Sequence, residues 1–193
     1  MRGKEAFVTG LVAAFLIGAT PAHAACDWPV AKAKATHHDR GTPAPLAVGD
    51  STMLFSVDKL AKLGFDANAR ACRGWNEGLD LVKQRKRAGR LPSFVVLALG
   101  ANSTLRPLDI ERALQVVGPG RILGLPTHRT WFGKPGTDTA VIRQMAGRYP
   151  KRIRLMDWVR YAQPHPAWFV NDGLHTNDIG SRKFANFIAD ALA

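Results

Sequence analysis

The chain has 193 residues, 46% of them hydrophobic and 22% charged, which suits one domain with a substantial core and excludes a disordered or low-complexity protein. Two cysteines exclude a disulfide-dense miniprotein, and no Cys/His group has the spacing of a zinc site. Lys and Arg number 27 against 15 Asp and Glu, and the net charge of +12 implies attraction to anionic surfaces without naming a partner.

Arg2 and Lys4 form a short basic head, residues 6–18 carry no charge, and Ala22-His23-Ala24 sets small residues where a signal peptidase reads them. As a helix the uncharged run rises about 20 Å, short of the ~30 Å hydrocarbon core of a bilayer. Residues 1–24 are therefore expected to be a cleaved export signal, with a retained anchor as the alternative. That reading places the mature chain in the periplasm or outside the cell. Cys26 and Cys72 both lie beyond the cut, where an even pair in an oxidising compartment suggests one disulfide, two free thiols being the alternative.

Residues 25–44 are rich in Ala, Lys, His and Pro without periodicity, and read as a leader or linker ahead of a domain spanning 45–193. Pro45–Gly49 (PLAVG) predicts a short buried strand. Met53, Val57, Leu60 and Ala61 mark a helical face that stops at Gly64. Phe65–Ala71 alternates loosely as a strand, and Asn76 can cap a helix whose apolar side holds Leu79, Leu81 and Val82. Ser93–Gly100 (SFVVLALG) is the clearest buried strand. A helix over Asp109–Val117, a strand over Arg121–Leu125, a helix over Thr139–Arg148 and a strand over Ile153–Trp158 follow. Phe184, Phe187, Ile188, Ala191 and Leu192 keep the i, i+3, i+4, i+7, i+8 pattern of a last helix. The alternation predicts a single α/β domain, a mostly parallel five-stranded sheet sandwiched by helices. Ligands of such sheets sit beyond the carboxyl ends of the strands.

Four short motifs fall where that rule points. Gly49-Asp50-Ser51-Thr52 sets a serine hydroxyl at a helix start, where free N–H groups favour developing negative charge; a serine there serves as readily as a plain cap. In Cys72-Arg73-Gly74-Trp75, Gly74 either exposes a backbone N–H or merely makes a turn. In Gly100-Ala101-Asn102-Ser103, Asn102 either aims its NH₂ group at a ligand or bonds its own backbone. Asp172-Gly173-Leu174-His175 offers a general base with a carboxylate three residues earlier to hold its other ring nitrogen, unless the histidine is only a structural polar group. Gathered at one sheet edge, the four supply a nucleophile, a base, an orienting carboxylate and oxyanion donors.

In order and spacing these motifs resemble the SGNH hydrolase family, the GDSL-like esterases, over most of the chain from Pro45 to the last helix. The resemblance implies a flavodoxin-like fold and a serine hydrolase in which Ser51 is the nucleophile, His175 the base and Asp172 its orienting partner. It implies an oxyanion hole made by the Ser51 and Gly74 backbone N–H groups and the Asn102 side chain. Two positions depart from the family pattern: Thr52 stands where a leucine is usual, and Ser103 where an aspartate is usual. Neither carries chemistry. Bulky Arg73 and Trp75 flank Gly74 and bear on the substrate instead. The chain looks most similar to short SGNH domains of secreted or acyltransferase-associated proteins that act on acylated envelope sugars. No metal or organic cofactor is implied.

The expected function is a secreted serine esterase removing an O-acyl or O-acetyl group from an envelope carbohydrate or a lipid. An O-acyltransferase with the same triad and a non-catalytic envelope-binding module are the alternatives. Trp75, Trp131 and Phe132 are candidate substrate contacts, Trp131 and Phe132 stacking on a sugar, burying an acyl chain or simply packing under a loop. The basic run Lys83-Gln84-Arg85-Lys86-Arg87 ends a helix, where cations suit the dipole and solvent. An anionic envelope surface is the partner the net charge suggests. A nucleic-acid role is disfavoured by export and by the lack of a binding motif, and no transmembrane span is expected after signal cleavage.

Overall fold

A computed structural model of the chain describes Cys26, residues 30–39 and residues 41–192. The expected export segment lies outside the described residues. No helix among them is long and apolar enough to cross a membrane.

Among the described residues six strands form one sheet: β1 (Ala31–Ala33), β2 (Leu46–Gly49), β3 (Asp66–Ala69), β4 (Phe94–Ala98), β5 (Ile122–Pro126) and β6 (Ile153–Met156), in spatial order β1-β3-β2-β4-β5-β6. All pairs are parallel except β1 with β3. The middle strands β2 and β4 are buried throughout, as the runs Leu-Ala-Val-Gly and Phe-Val-Val-Leu-Ala require of strands covered on both faces. Helices α1 (Val57–Lys62), α2 (Trp75–Arg87), α3 (Pro107–Val117), α4 (Thr139–Arg148), α5 (Trp158–Ala162) and α6 (Asp178–Asp190) fill the crossovers and the C-terminus.

The side-chain period of two splits each strand between two cores. Leu46, Val48, Val95 and Leu97 meet Leu79 and Val82 of α2, Ile110 of α3 and Met145 of α4 on one face. Ala47, Phe94 and Val96 meet Leu60 of α1, Trp158 of α5 and Phe184 and Ile188 of α6 on the other.

Two expectations are corrected. The sheet has six strands, not five, because the segment read as a leader supplies β1, with Ala31 opposite Ala69 and Ala33 opposite Ala67. Ala-Lys-Ala carries no hydrophobic signal; the edge is held by pairing and by the half-buried faces of the two alanines. The last strand stops at Met156, because the Asp157 side chain accepts the Arg160 N–H and starts α5, turning Trp158 into the second core.

Register sets up the functional edge. Gly49 is level with Ala69 on one side and Ala98 on the other. The segments that follow, Asp50-Ser51, Arg70–Gly74 and Leu99–Asn102, therefore leave the sheet side by side.

Candidate active site

Ser51 opens a short 3-10 helix, Ser51–Ser56, and its position is determined by the residue before it. The Asp50 carboxylate, 0% exposed, accepts the Thr52 N–H at 2.9 Å and the Thr52 hydroxyl at 2.7 Å through one oxygen. Its other oxygen accepts the Ala101 N–H at 3.2 Å, tying the turn after β2 to the turn after β4. Burial pushes the Asp50 carboxyl up, against the pull of these hydrogen bonds.

Asp172 and His175 stand on a narrow loop closed by the bridge between Phe169 and Thr176, with the Val170 N–H donating to the His175 carbonyl at 2.9 Å. Asn177 accepts the Gly180 N–H and starts α6 directly behind it. His175 Nδ1 lies 2.7 Å from Asp172 Oδ2, and His175 Nε2 lies 2.9 Å from Ser51 Oγ. Asp172 Oδ1 also accepts the backbone N–H groups of Leu174 and His175, at 2.8 and 2.9 Å. Partial burial disfavours the charged carboxylate, but the bonds from the His175 ring and these two N–H groups outweigh it and hold the Asp172 carboxyl below its ordinary value. An ionised Asp172 only accepts, so His175 Nδ1 carries the proton and Nε2 presents its lone pair to the Ser51 hydroxyl. The arrangement can move a proton off serine.

A cleft of about 410 Å³ opens over Ser51 and His175. Leu54, Phe55, Trp131, Val170 and Leu174 give it an apolar wall, and Asn102 adds a side-chain amide. The Trp131 ring meets the His175 ring edge to face, centroids 6.1 Å apart.

No family model matches the sequence. The chain superposes on the C-terminal catalytic domain of peptidoglycan O-acetyltransferase A from Streptococcus pneumoniae with a TM-score of 0.69 at 22% identity, covering 78% of this chain and 93% of that one. A protein titled "a putative SGNH hydrolase", from Slackia heliotrinireducens, matches at 0.60 and 18% identity, over 79% of this chain and 100% of that one. A member of the lipolytic G-D-S-L family from Veillonella parvula matches at 0.53 and 11%, over 75% and 95%. The chain has the SGNH hydrolase fold. A relative by sequence is the Bacillus subtilis (strain 168) protein named "Putative peptidoglycan O-acetyltransferase YrhL", 26% identical over 152 residues. The match takes in 76% of this chain but only 23% of the relative's length.

Within the SGNH fold the remaining expected residues separate. Asn102 is exposed on the cleft wall, and Gly74 stands at the N-terminus of α2 in place of the expected cap Asn76. A hydrogen bond of 2.8 Å from the Trp75 N–H to Ser103 Oγ fastens that helix start to the turn bearing Asn102. Cys72 lines the cleft and is joined by a disulfide to Cys26, their Cα atoms 5.3 Å apart. Trp131 faces the cleft while 59% exposed.

Trp75 is a correction: at 4% exposure it packs into the first core, because the first position of α2 points inward. Phe132 is 84% exposed at a φ of +62° and, like Gly74, is not among the residues that line the cleft. Arg73, read as a bulky neighbour of Gly74 that bears on the substrate, turns inside the protein. Sequence reasoning missed that Asp50 ties two turns together and that His128 is wedged between Gly100 and Gly136. A Cβ on either glycine would meet its ring at about 2 Å, Nδ1 at 1.9 Å from Gly100 and Nε2 at 2.1 Å from Gly136. The packing of His128 between the two glycines is spatial and leaves no spacing signal in the chain.

Proposed function

We propose that the protein is a serine acyl-transfer enzyme that forms an acyl-enzyme on Ser51. The observation that carries this reading is the unbroken hydrogen-bonded line from Ser51 Oγ through the His175 ring to Asp172. His175 Nε2 takes the serine proton as Oγ attacks an ester carbonyl, a step worth about 10²–10⁴ in rate. Asp172 holds the tautomer and stabilises the imidazolium. The Ser51 and Gly74 backbone N–H groups and the Asn102 amide receive the oxyanion, each contributing about 10²–10³. The leaving alcohol departs with the proton from His175, and a second hydroxyl, activated by the same nitrogen, resolves the acyl-enzyme.

With water as that second hydroxyl the enzyme is an esterase, our leading reading. The substrate we assign is an O-acyl or O-acetyl ester on an envelope carbohydrate, with a lipid ester as the wider class. Transfer to a carbohydrate hydroxyl is the second reading, favoured by the peptidoglycan O-acetyltransferase names of two similar proteins. We assign residues 1–24 to a cleaved export signal and residues 45–193, together with the edge strand β1 that joins their sheet, to the SGNH domain. The disulfide supports an oxidising compartment.

Labelling with a fluorophosphonate probe tests the nucleophile. The parent should label and Ser51→Ala should not; a folded parent that stays unlabelled would leave an envelope-binding module as the better account. Acetate release measured with and without an oligosaccharide acceptor then separates hydrolysis from transfer.

A further inference from the structure

The chemistry above makes no use of Arg73, whose side chain is buried at 2% exposure one residue before Gly74. Its Nη1 donates to the Gly49 carbonyl at 2.9 Å and to the Asn68 carbonyl at 2.8 Å, and Nη2 donates to Asn68 Oδ1 at 2.7 Å. Glu77 Oε1, half exposed, lies 3.6 Å from Arg73 Nε. Gly49 ends β2 two residues before Ser51, and its carbonyl also accepts the Arg70 N–H at 3.2 Å. One planar guanidinium thus joins the carboxyl ends of β2 and β3 to the turn that leads into α2. Burying a cation is costly unless it is bonded, and a lysine, a single point of charge, cannot span these three acceptors in one plane.

The same turn is unusual in its backbone. Cys72 has a φ of +55°, a left-handed conformation that a residue with a Cβ adopts at a cost and keeps only where its surroundings overdetermine it. Here the surroundings are the disulfide on one side and the Arg73 bonds on the other.

We propose that Arg73 is a positioning residue that holds the Cys72–Gly74 turn in register with Ser51, so that the Gly74 and Ser51 N–H groups serve one oxyanion. This rests on the serine acyl-transfer reading. Oxyanion donors act only in the transition state, so slippage of the turn lowers kcat and leaves ground-state binding in place. A displacement of about 1 Å is enough for a loss of about 10².

The test uses the disulfide-intact protein, with turnover of p-nitrophenyl acetate referred to the number of serines titrated by a fluorophosphonate. A parent that labels and turns over, beside an inert Ser51→Ala, establishes the acyl-transfer reading before any Arg73 variant is made; failure at that stage is failure of that reading. Arg73→Met and Arg73→Lys should then lose 10- to 100-fold in kcat per titrated serine, with KM within about threefold of the parent. Asn68→Ala, which removes only the side-chain acceptor, should lose about 3- to 10-fold in the same way. A purely structural Arg73 would reduce the titratable fraction and leave kcat per site unchanged, and that result overturns the proposal. Should the Arg73 variants not fold, Asn68→Ala decides: full kcat per site overturns the proposal just as firmly.

Discussion

Gly173 and Gly133 meet backbone to backbone: a Cβ built on Gly173 would lie 2.6 Å from the Gly133 nitrogen and 2.9 Å from the Phe132 carbonyl carbon. Gly173 has a φ of +69°, and the adjoining Asp172 carbonyl accepts the Phe132 N–H at 2.7 Å. The loop that holds Asp172 and His175 is therefore seated on the loop that holds Trp131. Gly173→Ala meets both a conformational penalty and a clash with backbone that cannot rotate away. We expect it to cost about 1–3 kcal/mol of stability and to lower kcat about 10- to 100-fold by pushing His175 off Ser51. A urea melt and steady-state kinetics on the folded variant check it; unchanged kcat would show that the two loops are independent.

Asn102 offers the cleanest separation of activity from stability. It is exposed on the cleft wall, so Asn102→Ala should alter stability by no more than about 0.5 kcal/mol. As an oxyanion donor its loss should cost about 10²–10³ in kcat. Ser51→Ala and His175→Ala should abolish turnover, and Asp172→Asn should reduce it by about 10⁴ because the amide holds the wrong tautomer. An Asn102→Ala protein with parental kcat would remove that side chain from the oxyanion hole.

Much of this was legible in the chain because burial writes itself into composition. Ser93–Gly100 reads as a strand since every residue of β4 is covered on both faces, and three of the four motifs follow strand ends that the register brings level, the fourth arriving on the loop before α6. What stayed illegible was direction. Arg73 and Trp75 flank Gly74, and nothing in the residue types tells that both side chains turn inward, one to strand carbonyls and one to apolar helices. Ala31–Ala33 escaped for a different reason: an edge strand held by three backbone pairings and small side chains has no apolar pattern to detect.

Asp66 gives the fold an acid-sensitive tie. Its carboxylate accepts the Ala35 N–H at 3.2 Å and bonds Lys34 and Arg85, fastening the chain after β1 and the end of α2 to β3. Burial opposes its charge, but those partners prevail and hold the carboxyl below its ordinary value. The folded state thus binds this proton less readily than the unfolded state. The stability it contributes is complete above the unfolded value of about 4 and is lost as pH falls through the lower folded value. Asp66→Asn should cost about 1–3 kcal/mol at pH 7 and progressively less as the parent carboxyl takes up its proton, so the parent and variant curves should converge on acidification. Buried Asp50 and Asp138, both pushed up by desolvation, are common to the two proteins and cancel in the comparison. A constant gap between the curves from pH 7 to pH 2 would remove Asp66 from the acid response.

The disulfide between Cys26 and Cys72 spans 46 positions of sequence and anchors the chain ahead of β1 to the turn beside Ser51. Closing a loop of that length restricts the unfolded chain and stabilises the fold by about 2–4 kcal/mol. The same turn is also held by hydrogen bonds from Arg73 to Gly49 and Asn68, and by the Trp75 N–H on Ser103. Reduction should therefore act on stability far more than on chemistry. The urea midpoint of the reduced protein, or of Cys26→Ser, should fall by an amount corresponding to about 2–4 kcal/mol. Below its melting range, kcat should stay within about threefold of the oxidised protein, an estimate that follows from the bonds remaining at the turn. A midpoint indifferent to reductant would mean that the bond closes a loop already restrained when unfolded. A large loss of kcat without loss of stability would mean that the covalent tie, rather than Arg73, holds the turn against Ser51.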